Sequence, residues 1–227
     1  MSEDVKQSLK TRLYNKVLTT LGGNDIPEII NYKFKRFLDI VIGTYGLMFL
    51  SPLFLIIAVL IKVNSPGPVF HRARRVGRKG ELFTLYKFRS MVVNADKMGP
   101  GVTAAGDSRV TKIGKFLRRT KLDELPQLWN VMKGDMRLVG PRPEDPHYVD
   151  LYTPEQKKIL YIRPGITSAA SVIYRNEEAI LQGENWEATY VNEVLPNKLA
   201  VDLEYAQKPT VIRDVSILVK TFRVLLD

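Results

Sequence analysis

The sequence holds no cysteine, which removes a disulfide scaffold, a thiolate-ligated metal and a thiol nucleophile together. Histidine is nearly as scarce. His71 and His147 alone leave little room for a histidine-based metal centre or a Ser-His-Asp triad. His71 reads as a surface residue of a hairpin, and His147, between Pro146 and Tyr148, is unremarkable. No internal repeat or low-complexity tract interrupts the 227 residues.

Charge is missing from one long stretch. Between Asp39 and Lys62 lie 22 uncharged residues, enough at ~1.5 Å rise per residue to cross a bilayer's hydrocarbon core. Ser51-Pro52 sits near the middle. Proline removes a backbone donor and clashes with the preceding turn, so a helix there kinks or breaks. Both flanks are basic, with Lys33, Lys35 and Arg36 before the run and Lys62, Arg72, Arg74 and Arg75 after it. Positive flanks favour the cytoplasmic side, so two of them around a broken helix predict a segment that enters the membrane and returns to the same face. A Pro-kinked transmembrane helix is the competing reading. A buried core helix is a third, disfavoured because globular helices seldom run so long without polar residues. The run is not a secretory signal: it begins near residue 40 and is followed by Lys62-Val63-Asn64 rather than by a small-residue cleavage site.

The formal charge of +10 is uneven. Residues 144–227 carry 9 basic against 13 acidic side chains, and residues 1–143 carry 25 against 11. A basic half adjoining a membrane segment implies anionic partners: lipid headgroups, phosphate substrates or nucleic acid. The chain divides into an N-terminal extension (1–31), the membrane segment (32–63) and a globular domain (64–227). In the extension, Val5 to Leu21 fits a short amphipathic helix stopped at Gly22-Gly23. Beyond the membrane segment, VFHRARRV and ELFTLYKF around Gly77-Arg78-Lys79-Gly80 predict a β-hairpin, on which Lys87 and Arg89 should share a face. Residues 94–108 read as a surface loop. Leu125, Leu128, Trp129 and Met132 make a helical apolar stripe ended by Gly134, and Gly140-Pro141-Arg142-Pro143 fixes an extended turn. Thr153-Pro154-Glu155-Gln156 has the form of a capping box, and Arg163-Pro164-Gly165-Ile166-Thr167 of a rigid turn. Val211, Val215, Leu218, Phe222 and Leu225 mark a last amphipathic helix, expected to pack on the core in preference to lying on the membrane interface.

The most informative small feature is Asp123-Glu124, a pair of adjacent carboxylates inside the most basic segment of the chain. Arg118, Arg119, Lys121, Arg137 and Arg142 surround the pair in sequence and should keep Asp123 ionised. A helix starting near Leu125-Pro126 would add its dipole; one starting at Thr120 would have to accommodate Pro126 as a kink. An ionised carboxylate can hold Mg²⁺ together with substrate phosphates, and it can attack phosphorus itself. Taken alone, an Asp-Glu pair more often neutralises its neighbours or caps a helix.

Together these pieces resemble the monotopic phosphoglycosyl transferases, the bacterial sugar transferases that load polyprenyl phosphate. The matching runs are KRFLDI (35–40), Ser51-Pro52, SPGPVF (65–70), RVG (75–77), YKFRSM (86–91), DSRVTKIGKFLRRTKLDELPQLWNVMKGDM (107–136), LVGPRP (138–143) and RPGIT (163–167). The resemblance implies an α+β, mostly helical, monotopic membrane protein with a re-entrant helix broken at Ser51-Pro52, a small β-hairpin and amphipathic interfacial helices. It implies transfer of a sugar 1-phosphate from a UDP-sugar to undecaprenyl phosphate, with Asp123 as nucleophile and Mg²⁺ contact and Glu124 assisting. Arg118 and Arg142 are then phosphate contacts, and Arg75, Lys87 and Arg89 weaker candidates for the same role. The implied location is the cytoplasmic face of the inner membrane, in contact with lipid and with both termini cytoplasmic; downstream glycosyltransferases and a homo-oligomer are compatible partners, and nucleic acid is not among them. Ala73, Arg137 and the stretch SAASVIYRNEEAILQ (168–182) depart from the family's usual pattern, which leaves the sugar open. The competing reading is a non-catalytic membrane scaffold with a basic lipid-binding face. Nucleic-acid binding would leave the uncharged stretch without a purpose.

Overall fold

The structure, a computed structural model, describes residues 26–99, 102–103, 106–181 and 185–226. The helix expected at Val5 to Leu21 lies outside them. Helix α1 (Ile26–Asn64) is followed by β1 (Phe70–Val76), β2 (Leu82–Phe88), α2 (Lys112–Arg119), α3 (Gln127–Lys133), β3 (Arg137–Val139), α4 (Pro146–Asp150), β4 (Gly165–Thr167), α5 (Ala169–Ile173), α6 (Glu177–Ile180), α7 (Trp186–Thr189), α8 (Leu195–Gln207) and α9 (Val211–Leu226). The fold is mostly helical, with a two-stranded antiparallel hairpin and a two-stranded parallel pair.

Helix α1 departs from expectation by starting inside the extension and staying helical through Pro52. Proline cannot donate to the Met48 carbonyl four residues back. The Ser51 hydroxyl donates to that carbonyl instead, at 2.8 Å, so the acceptor is satisfied without a loop. Any return of the chain within a membrane is therefore a bend in a helix. Among the described residues this helix is the one long and apolar enough to cross a membrane, with a mean hydropathy of 2.4 over its most apolar window, of which 11% is buried. So little burial excludes the core-helix reading. Tyr45, Met48, Phe49, Leu55 and Ile56 are all exposed.

Both ends of α1 are held by the same body. Near its start the Lys35 ammonium lies 2.6 Å from Asp214 on α9. Arg36 donates to the Val131 and Met132 carbonyls at 2.6 and 2.8 Å, which caps the C-terminal end of α3. Asp39 accepts from the Leu138 amide at 3.2 Å. Near its end, Ile57 and Ile61 pack with Phe88 and Leu117.

The hairpin forms as predicted, in the register Phe70↔Phe88 to Val76↔Leu82. Its two faces serve different neighbours. Ala73 and Leu85 pack against Val131 and Met136, whereas Phe88 meets the α1 side. The free edge of β2 is closed by one residue. Asn130, fully buried on α3, accepts from the Tyr86 amide at 3.1 Å and donates to the Thr84 carbonyl at 2.7 Å. Those two backbone groups point to the same edge, so the amide substitutes for a residue of a third strand. Gly134, at φ +93°, ends α3 where predicted. Gly114 lets α2 reach the hairpin's exit, since a Cβ there would stand 1.8 Å from the Ser90 carbonyl oxygen.

One expected turn proves to hold a strand. β3 and β4 pair in parallel, Arg137↔Gly165 and Val139↔Thr167, so Gly165–Thr167 of that turn is β4 and Arg163-Pro164 its lead-in, whereas Gly140–Pro143 stays outside any strand as expected. The capping box forms reciprocally, Gln156 Oε1 accepting from the Thr153 amide and Thr153 Oγ1 from the Gln156 amide, but it opens a 3₁₀ helix (Gln156–Tyr161). Trp129, assigned to the buried stripe of α3, is half-exposed, and Val131 is fully buried in its place. On α9 the buried positions include Ile217, while Ile212, Val215, Val219 and Phe222 are exposed. The packing expected of that helix therefore accounts for one of its two apolar faces.

Asn130→Ala should cost about 2–3 kcal/mol, because it leaves two backbone groups without partners. Thermal unfolding of the purified protein should then show a midpoint lower by roughly 5–10 °C. An unchanged midpoint would mean that Asn130 does not hold the strand edge.

Candidate active site

Asp123 and Glu124 sit in a single 3₁₀ turn, Leu122–Glu124, entered from Lys121 at φ +56°. Pro126 is the N-cap residue of α3, which begins at Gln127. This decides between the two helix starts considered above. Both carboxylates are buried, at 6% and 9% exposure, and their surroundings divide them.

Glu124 takes the cations. Lys87 donates to Oε1 at 2.9 Å, and Arg142 donates to Oε1 at 2.7 Å and to Oε2 at 3.3 Å. Burial alone would raise the Glu124 carboxyl, but Arg142 and Lys87 outweigh it and hold it well below the usual carboxylate range. The interaction is mutual: the Glu124 charge pushes Arg142 further up, while at Lys87 burial wins over Glu124 and lowers the ammonium.

Asp123 follows the opposite course. Its Oδ1 is buried and has no hydrogen-bond partner among the described residues. Burial raises its carboxyl, and the opposing charge of Lys87 does not compensate. The two strongest cations near the pair are thus bound to Glu124, and burial raises the Asp123 carboxyl above its ordinary value. The result is a carboxylate held by two cations beside one that is buried with an oxygen lacking a partner among the described residues. Among the described residues no group of three or more His, Cys, Asp or Glu comes together. A metal here would draw on Asp123, since Glu124 is already paired. That suits magnesium, which takes one or two carboxylates and completes its shell with substrate phosphate and water.

The other sequence-predicted residues scatter. Arg118 on α2 is among the charges acting on Asp123, yet its guanidinium pairs with Glu178 on α6. Arg75 donates to Asp145 at 2.6 Å, away from the pair. Arg89 is a clear departure from the expected clamp. The strand ends at Phe88, and the Arg89 guanidinium is used by Ser65 Oγ and the Ser65 and Pro66 carbonyls at 2.6–2.9 Å. It does not share work with Lys87; it closes the turn that follows α1. His71 is an exposed hairpin residue as expected. Sequence reasoning missed Glu178 and Lys198. Lys198 on α8 is buried and pairs with Glu177 at 2.7 Å and Glu144 at 3.7 Å. Glu144 and Glu177 in turn act on Arg142.

Glu124→Gln should cost about 3–5 kcal/mol at neutral pH, the usual penalty for leaving buried charges without a counter-ion. The sign with pH follows from the lowered carboxyl. Its contribution is complete above the ordinary glutamate range and is lost as pH falls through the depressed folded value. Thermal midpoints measured from pH 7 downward should therefore decline in the wild type and converge on those of the variant.

A family model described as bacterial sugar transferase matches residues 30–227. The chain is 44% identical over 155 residues to the UDP-N-acetylgalactosamine-undecaprenyl-phosphate N-acetylgalactosaminephosphotransferase of Aeromonas hydrophila, covering 67% of this chain and 37% of that protein. It is 38% identical over 216 residues to a UDP-glucose:undecaprenyl-phosphate glucose-1-phosphate transferase of Caulobacter vibrioides, covering 93% of this chain and 76% of the relative. A protein of the same name from Escherichia coli (strain K12) is 38% identical over 197 residues, which is 40% of its own length. Several relatives are thus more than twice as long as the stretch they share with this chain. With the match running from the second turn of α1 to the last residue, through the whole Asp123-Glu124 site, the chain belongs to the bacterial sugar transferase family.

Proposed function

We propose that the chain transfers a sugar 1-phosphate from a UDP-sugar to undecaprenyl phosphate at a membrane surface, with Asp123 as the covalent nucleophile. The observation that carries this reading is the buried, unpartnered Asp123 Oδ1 beside a glutamate fixed by Lys87 and Arg142. In the first half-reaction an oxygen of the ionised Asp123 carboxylate attacks the sugar-proximal phosphorus. The bond from that phosphorus to the bridging oxygen breaks, and UMP leaves with the bridging oxygen. In the second, a phosphate oxygen of undecaprenyl phosphate attacks the same phosphorus. The acyl-phosphate bond breaks and the carboxylate is regenerated. Magnesium, held through Asp123, would supply charge neutralisation for the donor's diphosphate. The charge of Arg118 acts on Asp123, and in this reading its guanidinium meets a donor phosphate. Glu124 orders Lys87 and Arg142 around the reacting carboxylate.

The membrane reading rests on α1. Lys35, Arg36 and Asp39 contact Asp214, Val131, Met132 and Leu138, while Ile57 and Ile61 pack on Phe88 and Leu117. A spanning helix would put one of these sets on the far side of the bilayer from its partners. Entry and return with a bend near Pro52 keeps both in place, on the cytoplasmic face where nucleotide sugars are found. The exposed apolar face of α9 suits the same interface.

Purified protein with undecaprenyl phosphate, Mg²⁺ and a panel of UDP-sugars, glucose and N-acetylgalactosamine donors included, should release UMP. Donor alone should give a burst of at most one UMP per chain and a mass increase equal to the phosphosugar. Asp123→Asn should abolish both, by at least ~10³-fold, without lowering the thermal midpoint, since burial disfavours the charge it removes. Full activity in that variant would remove the nucleophile assignment. For topology, reporters fused at Met1 and at Asp227 should both register as cytoplasmic; a periplasmic N-terminus would restore the spanning helix.

A further inference from the structure

Arg118 differs from the other cations of the site in how it is neutralised. Lys87 and Arg142 share a buried carboxylate that belongs to the active-site turn itself. Arg118 pairs instead with Glu178, 60 residues away on the short helix α6. The side chains of this pair are 23% and 46% exposed. So open a pair contributes little to stability and exchanges readily. The neighbouring glutamate behaves otherwise. Glu177 is bound at 2.7 Å to the buried Lys198, so α6 stays tethered whatever Glu178 does.

We infer that Glu178 is a stand-in for a donor phosphate: it neutralises Arg118 while the site is empty and gives up the guanidinium when a nucleotide diphosphate enters. This rests on the reading above that Arg118 meets the donor's diphosphate. The charges around Arg118 support the exchange. Asp123 and Asp107 also sense the guanidinium, but Asp107 is committed to Arg109 through several hydrogen bonds, and Asp123 Oδ1 has no partner. Glu178 is the one carboxylate bonded to Arg118 among the described residues. An incoming diphosphate offers more charge and more acceptor oxygens than a carboxylate, so it wins the guanidinium. The energetic consequence is a tax on donor affinity set by the strength of the pair it displaces.

The test is equilibrium titration of UDP into the full chain reconstituted in nanodiscs, comparing wild type, Glu178→Gln, Arg118→Gln, the double variant and Glu177→Gln. Removing the stand-in should tighten UDP about three- to fivefold, the range expected for an exposed ion pair. In the Arg118→Gln background the same change should have no effect, because there is no guanidinium left to release. Glu177→Gln, which cuts the buried tether and leaves the Arg118 pair, should not tighten binding. The inference is overturned if UDP fails to bind, if Glu178→Gln leaves its affinity unchanged or weaker, if the gain persists without Arg118, or if Glu177→Gln reproduces it. Failure of the proposed reaction is separable, since it would be seen as absent UMP release and not in UDP affinity.

Discussion

The structure depends on the charge triad of Lys87, Glu124 and Arg142. Burying an ion costs several kcal/mol unless a counter-ion and hydrogen bonds repay it, and here a buried carboxylate is met by two half-buried cations from segments far apart in sequence. Lys87 comes from the hairpin, Glu124 from the turn before α3 and Arg142 from the extended Gly140–Pro143 run. None of them can sit where it does unless the other two are in place. Arg142 also faces Glu144 and Glu177, which hold Lys198 on α8. One carboxylate thereby fixes the relative position of the hairpin, the catalytic turn and the C-terminal helices. Asn130 performs the uncharged part of the same task by sealing the edge of β2 from which Lys87 projects.

Fixing Glu124 so firmly is what leaves Asp123 unusual. Adjacent carboxylates on one tight turn cannot share the same cations, and the geometry awards Lys87 and Arg142 to Glu124. Asp123 is left buried with an unpartnered oxygen, so ionising it is costly in the resting protein. In the reaction proposed for Asp123 that cost is useful. An anion poorly stabilised by its surroundings gains more from bonding to phosphorus, or from an approaching cation, than one already satisfied.

Local features were legible in the sequence where a short-range pattern has one physical solution. The hairpin around Gly77–Gly80, the Gly134 stop and the Thr153–Gln156 box are of this kind, as each is decided within a few residues. The clustering of Asp123-Glu124 with cations was legible too, but the partner of each charge was not. Arg89 follows Lys87 by two, and alternation puts both on one face only while the strand lasts; it ends at Phe88, and Arg89 turns to the Ser65 and Pro66 carbonyls. The β3–β4 pair escaped because three-residue strands carry no readable period and their pairing is non-local. Glu178 escaped because nothing in a four-residue helix announces which arginine it will meet.

The uncharged run of α1 is legible as a membrane segment, and the path proposed for it rests on the charges at its margins. Lys35, Arg36 and Asp39 each find a partner in the body that carries the active site, and Lys35 is buried in doing so. Withdrawing such charges across a bilayer from these partners would leave ions and carbonyls unpaired on both sides, at several kcal/mol each. The apolar middle can accept lipid at no comparable cost, and the Ser51 hydroxyl removes the one backbone acceptor that Pro52 would have exposed there. Charged ends tied to one body and a satisfied proline between them are the physical terms under which a helix can enter a membrane without leaving the side on which its chemistry is done.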